Sequence, residues 1–274
     1  MNSLFRELAP VTAAAWAEID REATRTLKTT LAARKLVDFS GPQGLATSAL
    51  GTGRSKPIAS PPQSGVEARL RQVLPLVELR VPFELSRAEL DAIDRGAKDP
   101  DLDPLIEAAQ KIAKAEDHAV FHGYAAAGIS GICEAAPGKP MTLTDNYEDY
   151  PLAVAAACAR LRAAGVDGPY AIALGQQCYT GLTETTKGGY PVIQHVRRLL
   201  DGPIVWAPAV DGAVVLSTRG GDFELTVGQD FSIGYLGHTA DSVRLYFVES
   251  FTFQPLSPQA AVPLVYRAKP AKRA

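Results

Sequence analysis

Between Arg219 and Gln254 the chain reads RGGDFELTVGQDFSIGYLGHTADSVRLYFVESFTFQ, a pattern that only a sheet satisfies well. Phe223, Leu225 and Val227 alternate with Glu224 and Thr226, and Phe231, Ile233 and Tyr235 alternate with Ser232 and Gly234. Side chains two apart leave a strand on the same face, so each run has one buried face and one outer face. Val243, Leu245 and Phe247 continue the pattern, but Tyr246 and Val248 fill the opposite parity. A strand that is apolar on both faces belongs in the middle of a sheet. Gly228-Gln229-Asp230 and the segment from Leu236 to Asp241 read as the turns between these strands. The resulting antiparallel sheet has to be covered by helices from earlier in the chain.

The first such helix is predicted from a Thr12 cap through Ala13 to about Ala33, with Trp16, Ile19, Ala23, Leu27 and Leu31 at helical spacing on one face. Glu18 with Arg21 and Glu22 with Arg25 form i,i+3 pairs on the other face. Residues 41–75 then change character. Glycines and prolines punctuate a stretch with few large apolar residues, too long for an ordinary connection, so it is either disordered or a functional arm. Leu74 to Phe83 is strand-like but interrupted by Pro75 and Pro82, which places it at an edge or bend. Ser86 and Glu89 have the spacing of a capping box, with Leu85 and Leu90 as its apolar staple, and Gly96 stops that short helix. Asp103-Pro104 opens a long helix with an apolar face that runs to Gly123.

From Gly128 the pattern alternates. Pro151 to Ala164 and Tyr190 to Leu200 read as helices, Tyr170 to Leu174 and Ile204 to Ala207 as strands. Asp211-Gly212 before Ala213 to Leu216 is a hairpin signal. Residues 129–218 therefore read as one α/β unit, and Pro263 to Tyr266 as a last strand.

Charge and chemistry exclude several classes. Net charge is -2, so nothing in the bulk electrostatics asks for nucleic acid. Three scattered cysteines, Cys133, Cys158 and Cys178, fit neither a disulfide framework nor a zinc knuckle and read as a reduced, cytosolic set. The first residues carry charge early and form no signal-peptide core, and the uncharged run from Leu152 to Ala159 is too short to cross a bilayer. His118 and His122 are spaced i,i+4 but lack the Glu of a HExxH motif. Gly128-Ile129-Ser130-Gly131 is not a nucleophile elbow. Gly51-Thr52-Gly53-Arg54 is not a phosphate loop, and Asp145, Glu148 and Asp149 lack EF-hand spacing. No catalytic or metal constellation emerges.

Taken together, RGGDF, GQDFSIGY and RLYFVESFTFQ resemble the encapsulin shell proteins, bacterial nanocompartment relatives of tailed-phage major capsid proteins. The stretches Arg6 to Pro10, Trp16 to Asp20, Arg34 to Asp38, Leu74 to Arg80 and Gly168-Pro169-Tyr170 resemble the same family, in family order across nearly the whole chain.

The resemblance implies an α+β, tailed-phage major-capsid-like fold. In that fold a peripheral domain combines a spine helix with the antiparallel sheet, beside an axial α/β domain and an extended arm. The implied division is 1–40 for the N-terminal helix, 41–75 for the arm, 76–128 for the spine-helix part, 129–218 for the axial domain, 219–267 for the sheet and 268–274 for a basic tail. It also implies a function: an icosahedral, cytoplasmic shell, itself not an enzyme, that encloses a cargo enzyme through a targeting peptide. The usual cargoes are a peroxidase or a ferritin-like iron oxidase, serving oxidative stress or iron storage. Neither nucleic acid nor membrane is an expected partner.

By the same resemblance, Leu27, Leu31, Arg34, Asp38, Phe231, Ile233 and Tyr235 form the cargo groove, with Arg34 and Asp38 orienting the peptide. Thr185, Thr186, Lys187, Gly188, Gly189 and Tyr190 surround the five-fold pore. Some relatives stack a flavin between a Trp and the Tyr matching Tyr190. Here Ala88 stands in place of the Trp, so no cofactor is expected. The alternatives are a soluble hydrolase of the middle α/β region and a phage capsid protein. Near-neutral charge, with no long segment before the first helix, favours a protein-filled shell over a DNA-filled one.

Overall fold

A computed structural model describes residues 3–266; the basic tail expected over 268–274 lies outside the described residues. Helix α1 (Ala13–Thr30) starts at the expected cap, where the Thr12 hydroxyl accepts from the Ala15 amide at 3.2 Å. It ends at Thr30, short of Ala33, for a non-local reason. The Asp117 carboxylate takes the Ala32 and Ala33 amides at 2.9 and 2.8 Å, and the chain turns into a single tight turn, Ala33–Lys35.

Strand β1 (Asp38–Ser40) follows, then β2 (Ala49–Ile58) and β3 (Ala68–Pro75), which pair antiparallel from Ala49↔Pro75 to Ile58↔Ala68. The stretch read as an arm or an unstructured linker is thus a two-stranded ribbon. Strand β4 (Val77–Ser86) leads into α2 (Arg87–Asp94), which begins where the capping-box pattern put it. The box itself does not form: Ser86 makes no side-chain cap bond, and Glu89 accepts instead from the Asp101 amide at 2.9 Å. Helix α3 (Asp103–His122) carries Pro104 in its first turn and ends at Gly123, which adopts φ 87°.

The remaining elements are α4 (Ile132–Ala135), β5 (Met141–Leu143), α5 (Tyr150–Ala163), β6 (Tyr170–Leu174), α6 (Gln176–Glu184), β7 (Thr186–Lys187), β8 (Tyr190–Pro191), α7 (Val192–Arg197), β9 (Ile204–Trp206), β10 (Ala213–Ser217), β11 (Phe223–Val227), β12 (Ser232–His238), β13 (Ser242–Pro255) and β14 (Ala261–Tyr266). The helix expected over Tyr190 to Leu200 is shorter, because Tyr190 and Pro191 are spent on β8.

The first sheet is built on β13. β4 pairs along one edge, from Ser242↔Ser86 to Phe251↔Val77. The opposite edge carries β11, from Phe223↔Pro255 to Val227↔Phe251, and then β12, from Ser232↔Val248 to His238↔Val243. β1 lies parallel outside β11. This corrects the reading of Gly228-Gln229-Asp230 as a turn. Both β11 and β12 run antiparallel to β13, so the chain steps sideways there without reversing. Ser250 holds the step: its carbonyl accepts from Gly228, its amide donates to the Gln229 carbonyl, and its hydroxyl accepts from the Gln229 amide at 2.9 Å. The reversal comes later, at Thr239 to Asp241; Leu236 to His238 still belong to β12, after a bulge between Tyr235 and Gly237.

Helix α3 packs on β4 and β13, and α1 packs across α3. Ala15, Ile19 and Ala23 of α1 meet Leu105, Ala109 and Ile112 of α3 and Phe83, Ile233, Leu245 and Phe247 of the sheet. Fully burying a large apolar side chain is worth about 1.5–3 kcal/mol, so this layer dominates the stability of that half.

The second sheet has the order β5-β14-β10-β6-β9. Its central strands are buried along their whole length, and α5 packs against it. β14 lies between β5 and β10. The segment 219–267 therefore does not stay with the first sheet: its last strand crosses into the second. Asp211-Gly212 does not make a hairpin either, because β10 pairs with β6 and β14.

Candidate functional site

A cavity of about 230 Å³ opens between α1 and the first sheet. The period of α1 presents Ala23 and Leu27 to it, four residues apart, while Phe231 and Ile233, two apart, present the sheet side; Phe247 lies at its floor. The chain's own N-terminal segment closes one side. The Tyr235 amide donates to the Leu4 carbonyl at 2.8 Å. Arg6 pairs with Asp20 at 2.7 Å and lies 3.9 Å over the Trp16 ring. The groove is mixed: Ala23, Leu27, Phe231, Ile233 and Phe247 make its apolar part, and the Arg6–Asp20 pair, Thr24 and Ser232 its polar part.

Of the seven residues expected to bind cargo, Leu27, Phe231 and Ile233 line this cavity. Tyr235 sits beside it, its hydroxyl against His238 Nδ1. Leu31 is buried and off the cavity wall. Asp38 belongs to a separate cavity with Lys35 and Ser217, where it accepts from the Gly221 amide at 2.6 Å. Leu31 and Ile233 are both under a tenth exposed, so an acid placed at either would test folding before docking.

Arg34, expected to orient the peptide, is not among the residues that line this cavity. Its Nε and Nη2 grip both oxygens of Glu116 at 2.6–3.0 Å. Nη1 donates to Asp230 at 2.8 Å, and Nη2 also reaches Glu249 at 3.4 Å. The Phe231 and Phe39 rings lie 4.5 and 5.0 Å from the guanidinium carbon. Glu116 and Glu249 are fully buried.

No motif gives these two carboxylates a role, although both sit on apolar stripes. Glu116 is four residues from Ile112 and four from Val120 on α3. Glu249 shares the parity of Phe247 and Phe251 on β13. An acid on the buried face of an element is the signal that could have found them.

Burial, opposed by the two amides it accepts, raises the Asp117 carboxyl to about 7. Burial and then the Glu116 charge raise Glu249 well above the ordinary carboxylate range. Burial works against the charge of Arg34, but its acidic partners outweigh it and its pKa rises. The sign for stability follows. Folded Asp117 keeps its proton to about pH 7, whereas an unfolded aspartic acid releases it near the ordinary 3.8. Unfolding between those values releases a proton, so this group stabilises most in acid, and its contribution falls by up to about 1.4 kcal/mol per pH unit as pH rises through that window. Urea midpoints at pH 5 and pH 7 should therefore fall with pH more steeply in the wild type than in Asp117→Asn. Equal slopes would assign the titration elsewhere.

The expected pore loop is a tight hairpin. Thr186 pairs with Pro191 and Lys187 with Tyr190 across Gly188 and Gly189, at φ 59° and 82°. Two left-handed central residues define a type I′ turn, which glycine adopts without strain. Lys187 Nζ donates to the Glu148 carbonyl at 3.0 Å, leaving Tyr190 at the exposed tip. Ala88, on α2, is exposed and offers no ring face. The His118 and His122 rings lie 5.0 Å apart, and His122 Nε2 faces the Ala209 carbonyl at 3.1 Å. Among the described residues no group of three metal-ligating side chains forms, and no helix is long and apolar enough to cross a membrane. The three cysteines are unpaired, their thiols held protonated by burial, Cys133 up to about 12.

Residues 1–252 match the family described as encapsulating protein for peroxidase. The chain is 58% identical over 270 residues to the type 1 encapsulin shell protein of Rhodospirillum rubrum, covering 96% of each chain. It is 50% identical over 264 residues to that of Mycobacterium tuberculosis, covering 96% of this chain and 99% of the relative. Its fold is similar to the virus-like particle from Pyrococcus furiosus, with a TM-score of 0.60 at 17% identity over 90% of this chain and 97% of that one. The capsid of Myoviridae phage XM1 shares the fold at a TM-score of 0.51 and 8% identity, over 82% and 88% of the two chains. The chain belongs to the encapsulin shell-protein family, and its fold is the capsid-like one that the sequence resemblance implied.

Proposed function

We infer that many copies of this chain close into a hollow cytoplasmic shell, and that the shell holds a cargo enzyme by a short peptide seated in the groove between α1 and β12. Beyond family membership, the observation that carries this reading is the β2–β3 ribbon. Leu70, Val73, Val66 and Ile58 stand between 44% and 62% exposed on it or at its tip, and no residue of it joins either buried core. A ribbon of this kind is marginal alone and orders by lying on something else. A neighbouring copy is the partner that a closed, symmetric assembly supplies.

Catalysis then belongs to the cargo, a peroxidase or a ferritin-like oxidase, while the wall binds, excludes and gates. The Thr185 to Tyr190 hairpin is the natural rim of a pore. The groove suits a peptide with aliphatic side chains spaced to enter it, its polar ends near the Arg6–Asp20 pair.

Size-exclusion chromatography followed by negative-stain microscopy tests the assembly. Uniform hollow spheres are expected, and a monomer or small oligomer at physiological salt would overturn it. For docking, Thr24→Trp is the cleaner probe, because Thr24 is exposed yet lines the cavity. Shells should form normally while the cargo-to-shell ratio on a gel falls about tenfold or more, the equivalent of about 1.4 kcal/mol. An unchanged ratio would move the docking site elsewhere.

A further inference from the structure

Behind the groove, four elements far apart in sequence meet around one guanidinium. Arg34 comes from the turn after α1, Glu116 from α3, Glu249 from β13 and Asp230 from the step between β11 and β12. One positive charge faces three carboxylates, two of them fully buried. Glu249 uses one oxygen on Arg34, at 3.4 Å, and its other oxygen, Oε1, has no hydrogen-bond partner among the described residues. A buried carboxylate left half unpaired costs far more than a neutral carboxylic acid in the same place. Two like charges on one guanidinium raise that cost further.

A proton removes both problems. Both carboxyls reach the same Nη2 of Arg34, at 2.6 and 3.4 Å, so a protonated Glu249 would offer its proton beside Glu116 and leave a single Glu116–Arg34 ion pair at the centre. The other charges nearby do not substitute for it. Asp117 is occupied by the Ala32 and Ala33 amides, and Lys35 acts on Asp117. Asp230 is the solvent-facing member, 39% exposed. It also bridges the cage to the groove: the next residue, Phe231, lies against the guanidinium and lines the cavity.

We propose that Glu116 and Glu249 hold one proton between them, and that its loss to alkaline solvent draws Arg34 toward Glu249 and off Asp230, loosening Phe231 and the groove wall. The pair is a proton-sensitive latch on peptide docking, and in that respect it rests on the groove reading above. Glu249 is its titrating member and Arg34 its moving part, and both act as positioning residues, since neither touches the peptide.

Two measurements on assembled shells decide it. Infrared spectra in D₂O should show a carboxylic-acid carbonyl band that persists above the pH range in which ordinary carboxylic acids ionise and that is lost as the pH is raised further. The band should be absent in Glu249→Gln and retained in Asp117→Asn. No such band in the wild type overturns the shared proton whether or not the variants fold. Separately, Phe231→Trp provides a reporter beside the guanidinium. Its emission, taken as the difference from wild type, should step at the same alkaline pH, and the step should vanish when Glu249→Gln or Glu116→Gln is added. A step that persists in both, or no step at all, overturns the latch. If the pair titrates but cargo loading does not change across the same pH step, its control of docking is overturned, whereas the groove reading stands or falls separately on Thr24→Trp.

Discussion

Replacing Arg34 by methionine should destabilise the folded subunit by about 3–5 kcal/mol, the range for removing one partner of a buried ion pair. The reason is what remains. Glu116 loses all three of its bonds from Arg34 and Glu249 loses its bond to the same guanidinium, and both are fully buried. Methionine restores the lost volume but offers neither charge nor hydrogen bonds. Against a typical domain stability of about 5–15 kcal/mol this is a large fraction, so soluble shell yield should drop along with the urea midpoint. Adding Glu116→Leu should recover much of the loss, because a cage with fewer charges needs less compensation. The measurement also separates two roles for Arg34. A peptide-orienting arginine would lose cargo at unchanged stability, whereas a cage arginine loses stability first. A cost under about 1 kcal/mol, the range of an exposed ion pair, would show that the cage does not depend on its cation.

That role for Arg34 could not be read locally. Its acidic partners lie 82 to 215 residues away in the chain, and spacing rules see only a few residues. What those rules see well, they placed well. The Thr12 cap, the β6 strand and the glycine stop of α3 depend on neighbours within one turn or one strand. The central position of β13 was also legible, because apolar residues of both parities can only be buried on both faces.

The misses share a cause. The sideways step at Gly228 has the composition of a turn, but its direction is decided by Ser250 on the facing strand. Gly212 carried a hairpin signal for another reason. It sits at φ 97°, and a Cβ there would lie 2.3 Å from the Leu264 carbonyl. The glycine admits β14 to the second sheet, and nothing near residue 212 announces that strand. Of the expected docking residues on simple periods, Leu27, Phe231 and Ile233 came together, whereas Leu31, past the end of α1, and Tyr235, next to the bulge of β12, do not line the cavity. The charged pair Arg34 and Asp38, with no period to constrain them, turned to internal partners.

Excising the ribbon should have the opposite profile to Arg34→Met: intact subunits and no shells. Ala49 and Pro75 are paired, so the two ends lie about one strand spacing apart, and a short Gly-Ser turn can replace residues 49–75 without stretching what flanks them. Neither core loses a side chain, so the subunit's urea midpoint should move little. Assembly should fail outright, because a closed shell multiplies each weak contact over many neighbours, and removing one class of contact removes it everywhere at once. Analytical ultracentrifugation should find the variant as monomers or small oligomers where the wild type sediments as a single large particle. Leu70→Asp, which changes one of the most exposed apolar side chains of the ribbon, should weaken assembly in the same direction and make it salt-dependent, because the new charge is screened at high ionic strength. Wild-type-sized shells from the excised chain would mean that the ribbon is not the inter-subunit arm, and that the closure contacts lie on the faces of the two sheet-bearing halves.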